Sequence, residues 1–122
     1  MRALSLLAVA LVAGCVGTGA APVAEGPVVP IRFDSGGIEA VGTGQRIDFG
    51  RDQAGVLETM TRLQGRAPVA LPCDHSANTA FRWRDGPLLV FRNGAFAGWS
   101  IPDPAQSADG STQFGQTCVP LG

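Results

Sequence analysis

The sequence predicts a small α+β domain, with one main helix packed on one face of an antiparallel sheet that carries two type I′ hairpins. Three observations lead there. Residues 52–64 alone have helical apolar spacing. Three strand-like runs, 79–84, 87–92 and 95–101, are separated only by Asp85-Gly86 and Asn93-Gly94, the dipeptides favoured in two-residue hairpin turns. Gly and Pro are abundant, 17 and 9 of 122 residues, and follow no period, so the chain is turn-rich and neither fibrous nor repetitive.

Taken in order, residues 15–30 are small, rich in Gly and Pro and without periodicity, and read as a flexible tether. The domain proper is expected over 31–122. Ile31, Arg32 and Phe33 suggest a first short strand, and 46–49 a second, with Ile47 and Phe49 on one side. Residues 35–44 between them hold four glycines and read as a loop or bulged turn. In the helix, Val56, Leu57, Met60 and Leu63 fall on a stripe about 120° wide at 100° per residue. Asp52 stands where a cap belongs, Gly65 is a natural terminator, and Pro68 prevents continuation.

Two-residue turns fix register, so the faces of the sheet can be derived. Residue 83 should oppose 88, 81 oppose 90, 90 oppose 97 and 88 oppose 99. One face then carries Phe81, Trp83, Leu88, Val90, Ala97, Trp99 and Ile101, and should meet the helix stripe. The other carries Leu89, Phe91 and Phe96 with Arg82 and Arg84 beside them, and Gly98 and Ser100. One helix cannot cover both faces. Either the N-terminal strands or the 102–112 loop cover the second, or it stays exposed as an apolar patch rimmed by Arg, a composition suited to a protein partner. Residues 113–119 suggest a returning edge strand.

Arg2 followed by an apolar run over 3–13 is signal-peptide architecture. The run is too short to span a bilayer, which needs about 20 apolar residues. Val12-Ala13-Gly14-Cys15 resembles, position by position, the lipobox of bacterial lipoproteins. The resemblance implies removal of residues 1–14 and lipidation of Cys15 with a diacylglyceryl group and an amide-linked chain. Two or more chains hold a protein stably on a membrane. The domain would then sit on the periplasmic side of the envelope. Val at position 16, where enterobacterial lipoproteins of the inner membrane carry Asp, points to the outer membrane. The same residues leave open an ordinary signal peptide cut after Ala20.

With Cys15 set aside, Cys73 and Cys118 remain. An even pair in an exported small domain reads as a disulfide. Closing the long loop between them is worth roughly 4 kcal/mol in the chain-entropy model. That is a large share of the about 5–15 kcal/mol that a whole domain holds.

No arrangement rises to catalysis. Asp34-Ser35-Gly36-Gly37 resembles the nucleophile segment of chymotrypsin-like serine proteases, but His75 follows Ser35 where that family needs a preceding His, and the chain is too small for two barrels. Cys73-Asp74-His75 supplies one His and a Cys committed to a disulfide, too few ligands for a metal. Gly42-Thr43-Gly44 lacks the third glycine of a phosphate loop. No cofactor is expected. The net charge is −1, every cation is Arg, and no basic patch invites nucleic acid.

A helix started after Gly50, with Val56 and Leu63 and ending in Leu63-Gln64-Gly65, then Trp83, and a strand through Val90 and Phe91 to Asn93-Gly94 resembles the small BamE/SmpA-like outer-membrane lipoproteins and the related β-lactamase inhibitor domains. The resemblance covers about 47–101 and departs in showing one helix where two are usual. It implies a non-enzymatic envelope lipoprotein that binds another protein through an exposed sheet face, in outer-membrane assembly or maintenance. On that reading Leu89, Phe91, Phe96, Arg82 and Arg84 form the binding site. The alternative is a lipid-anchored inhibitor of a cell-wall lytic or other periplasmic enzyme, built as a β-barrel; the absence of Tyr and the shortage of strand signals count against it.

Overall fold

The computed structural model describes residues 29–121. Three short strands come first: β1 (Ile31–Asp34), β2 (Gly37–Ala40) and β3 (Gln45–Asp48). The helix α1 (Gln53–Gln64) follows, then β4 (Val69–Pro72), β5 (Asn78–Arg82), β6 (Leu88–Arg92) and β7 (Ala95–Ser100). A single 3₁₀ turn at Pro104–Gln106 precedes the last strand, β8 (Gln113–Gly115). The fold is α+β, with one helix and two antiparallel sheets ordered β1-β2-β3 and β4-β5-β6-β7-β8. Ahead of β1, the Val29 N–H donates to the Leu63 carbonyl at 3.0 Å.

Glycine counting misread residues 35–44. They hold β2, the central strand of the smaller sheet, between two glycine turns. Ile38 is fully buried and pairs with Phe33 on one side and Ile47 on the other. The strand is too short for its alternation to stand out in sequence. Its outer face carries the row Arg32, Glu39, Arg46. Arg46 also bonds Asp34 at 2.9 Å and Asp48 at 3.1 Å. The Arg46 bond holds the Asp34 carboxyl below its ordinary pKa against the opposing effect of desolvation, and the Gly36 N–H adds to it.

The helix forms where its local signals place it. The Asp52 carboxylate accepts from the N–H groups of Ala54 and Gly55, orphan donors of the first turn. Gly65 ends the helix in the left-handed region at φ 72°. Val56, Met60 and Leu63 are buried.

The larger sheet departs from the expected register by one residue. Ala80 faces Val90, Phe81 faces Leu89, and Arg82 faces Leu88. The reason lies in Pro87. A two-residue loop at Asp85-Gly86 would close with the residue 87 N–H donating to the Arg84 carbonyl, and proline has no N–H. The loop instead takes three residues, 84–86. The Trp83 N–H donates to the Pro87 carbonyl, and the Gly86 N–H to the Trp83 carbonyl, each at 3.0 Å. Asp85 takes up the turn at φ 54°.

At the other end, Asn93 and Gly94 do form a two-residue connection, at φ 51° and 80°, and Arg92 faces Ala95 as derived. The register then slips at a bulge, so Phe91 faces Phe96 but Val90 faces Gly98, with Ala97 as the extra residue. The bulge marks a change of neighbour. Before it, β7 bonds the segment ahead of the helix: the Gly50 N–H donates to the Phe96 carbonyl and the Phe96 N–H to the Arg51 carbonyl. After it, β7 pairs with β8.

A one-residue slip moves a strand's side chains to the opposite face. Trp83, Leu89, Phe91, Phe96, Trp99 and Ile101 share the main core with Val56, Met60 and Leu63 of the helix and with Ile31, Phe33, Ile38 and Ile47 of the smaller sheet. Leu88 and Val90 turn to the second face, where they join Ala80, Leu71, Cys73 and Cys118. The N-terminal strands therefore help fill the first core and do not cover the second face. The 102–112 loop ties to β1, where the Ala108 N–H donates to the Phe33 carbonyl at 2.8 Å. Both indoles reach a backbone acceptor at 2.9 Å: Trp83 the Arg66 carbonyl and Trp99 the Asp34 carbonyl.

The observed register makes a stability prediction. Phe91→Ala should cost about 3–5 kcal/mol in chemical denaturation, as large-to-small core changes do. A cost within about 0.5 kcal/mol, the usual range for a surface change, would contradict the burial of Phe91.

Candidate functional site

The residues first assigned to a binding face divide sharply. Leu89 and Phe91 are 0% exposed and Phe96 is 1% exposed. Phe91 packs against Phe81 and Phe96, with ring centroids 5.7 and 5.8 Å apart. They are core residues, and the exposed aromatic cluster expected at 89, 91 and 96 does not exist. Arg82 and Arg84 are exposed, Arg82 on the second face of the larger sheet and Arg84 in the adjoining loop. Cys15 lies outside the described residues.

Half of that second face is closed. After β8 the chain turns back across it. The Gln116 N–H donates to the Ala97 carbonyl, the Asp74 N–H to the Val119 carbonyl, and the Leu121 N–H to the Pro72 carbonyl. Residues 116–121 thus run from β7 to the far edge at β4. The buried Asn78 amide donates to the Thr117 carbonyl at 3.2 Å. Cys73 and Cys118 form a disulfide, 45 residues apart in sequence, and pin the same segment. Gly98 makes the close approach possible: a Cβ there would stand 2.1 Å from the Gln116 carbonyl oxygen. In the row Leu71, Ala80, Val90, Gly98, Gly115 the three central residues are buried beneath this strap, while Leu71 is half-buried and Gly115 exposed.

The next row is open in part: Leu88 is buried, Ser100 is half-buried, and Val69, Arg82 and Gln113 are exposed. By register it runs Val69, Arg82, Leu88, Ser100, Gln113 across all five strands. Val69 is 65% exposed. A depression of about 180 Å³ lies over Leu88, walled by Arg82, Ser100 and Pro102. Sequence reasoning placed Arg82 on the second face and Leu88 among buried residues, as observed, but put Leu88 on the opposite face because of the assumed loop length, and it read no strand at 69–72 and so missed Val69.

Ser35 is exposed in the turn between β1 and β2. His75 is exposed, and its Nδ1 accepts from the Ala77 N–H at 3.2 Å. No cluster of three or more His, Cys, Asp or Glu side chains among the described residues could hold a metal ion. No helix among them is long and apolar enough to cross a membrane.

The strap predicts a measurable dependence on its cross-link. Replacing Cys73 and Cys118 by Ser should lower stability by about 2–5 kcal/mol. Hydrogen exchange should show the loss first at the amides of Asp74, which donates to Val119 of the strap, and of Gln116, which ties the strap to Ala97 of β7.

Comparison of this chain with protein-family models, with curated proteins and with solved structures gave no match.

Proposed function

We propose that the chain is a non-enzymatic, lipid-anchored domain of the bacterial cell envelope that binds another protein. The disulfide supports the compartment, because such bonds persist in oxidising surroundings and are rare in the cytosol. The anchor is Cys15, on its resemblance to a lipobox cysteine. Replacing Cys15 by Ser should release the protein from the membrane fraction in cell fractionation and blotting. Full retention of the variant would overturn the anchoring.

The observation that carries the binding role is the partly open row on the second sheet face. Val69 stands exposed on it, Leu88 floors a shallow depression, and Arg82 is beside both. Arg84 extends the cationic side. Exposed apolar surface beside Arg, the one residue of the row of a type enriched at interfaces, with no acid in the row, supports this reading. The aromatic anchors that first suggested a partner lie in the core, so the partner surface is smaller and less aromatic than the sequence implied.

Val69→Asp with Arg82→Glu tests this surface without touching the core. The melting temperature should stay near the parent value, since both side chains are exposed. Partner capture in a crosslinked pull-down from native membranes should be lost. Unchanged capture would reject this face as the interface.

A further inference from the structure

A cavity of about 410 Å³ opens between β3 and α1, away from the sheet face discussed above. Three of the chain's nine arginines line it, Arg46, Arg51 and Arg62; Asp52 and Glu58 line the adjoining depression, which shares Ile47, Arg51, Thr59 and Arg62 with it. Arg46 is already paired, with Asp34 and Asp48. Among the described residues Arg51 and Arg62 take part in no ion pair. Arg51 spends Nη1 on the Arg46 carbonyl at 3.0 Å, and Arg62 reaches only the Thr59 hydroxyl, at 3.5 Å. Each guanidinium has five N–H donors, so most of theirs are unspent. Thr59 lines the same wall, and the buried side chains of Ile47 and Leu63 make the cavity partly apolar.

Two unpaired guanidinium groups on one concave surface repel each other and favour an anion between them. The planar fork of Arg matches a carboxylate in bidentate fashion. The volume falls in the range of small-ligand sites, about 300–1,000 Å³. We propose that this cavity binds a small organic carboxylate, its anionic group held by Arg51 and Arg62 and its apolar group resting on Ile47 and Leu63. The site is independent of the membrane anchor and of the partner face.

The test is an NMR titration of the purified full chain with N-acetyl-leucine, with uncharged N-acetyl-leucinamide and with inorganic phosphate. N-acetyl-leucine should shift the amide signals of Ile47, Thr59 and Arg62, and the amide analogue should not. The double variant Arg51→Gln, Arg62→Gln should weaken binding by on the order of tenfold or more. Its melting temperature should match the parent, because both arginines are exposed. Four results would overturn the proposal: no shift with N-acetyl-leucine, equal shifts with the uncharged analogue, unchanged affinity in the double variant, or tighter binding of phosphate than of N-acetyl-leucine.

Discussion

Pro87 has no N–H to donate, and the architecture of the larger sheet follows from that missing donor. A two-residue connection between β5 and β6 would leave the Arg84 carbonyl without its closing partner. Adding one residue to the loop lets the Trp83 N–H and the Pro87 carbonyl close the hairpin instead. The added residue sets the pairing of Phe81 with Leu89 and of Arg82 with Leu88. From there the direction of every side chain on β6 is decided. Leu89 and Phe91 enter the main core, and Leu88 and Val90 go to the other side.

That choice explains why the domain has two apolar layers. The main core is shared by the helix stripe, the inner face of the smaller sheet, the odd-numbered side chains of β6, Phe96 and Trp99 of β7, and the flanking Trp83 and Ile101. The indole bonds of Trp83 and Trp99 satisfy polar atoms that would otherwise be buried at cost. They also tie the larger sheet to the chain following the helix and to β1. The second layer is thin and lacks a helix to cover it. A disulfide-pinned strap of residues 116–121 does so, and Gly98 lets its backbone lie against the sheet. The strap covers the middle of one cross-strand row and leaves the next open in part, and that partly open row is the proposed partner surface.

The edges of the larger sheet are managed in different ways. β4 begins just after Pro68 and ends in Pro72, residues that withhold donors from an edge. β8 is only three residues long. The bulge at Ala97 lets β7 exchange the segment before the helix for β8 along the same edge, so the edge of β7 is occupied along most of its length. Phe114 on β8 stays 41% exposed, although it stacks on Phe49 and Trp99.

The sequence by itself determined the features whose causes are local. The helix was legible because its stripe, its Asp52 cap and its Gly65 stop act within a few residues of one another. The turn at Asn93-Gly94 was legible for the same reason. The disulfide followed from an even pair of cysteines, with no geometry required. Tertiary structure decided everything that depended on counting across strands. The Asp85-Gly86 signal was read without the donor that Pro87 lacks, and an error of one residue inverted the faces of a strand. The bulge at Ala97 arises from what β7 pairs with on its outer edge, which involves residues far away in sequence. β2 was hidden because its burial comes from Phe33 and Ile47 on either side, and not from any pattern of its own. Arg51 and Arg62 are separated by eleven positions on a loop and a helix, and only the packing of β3 beside α1 brings them to one cavity.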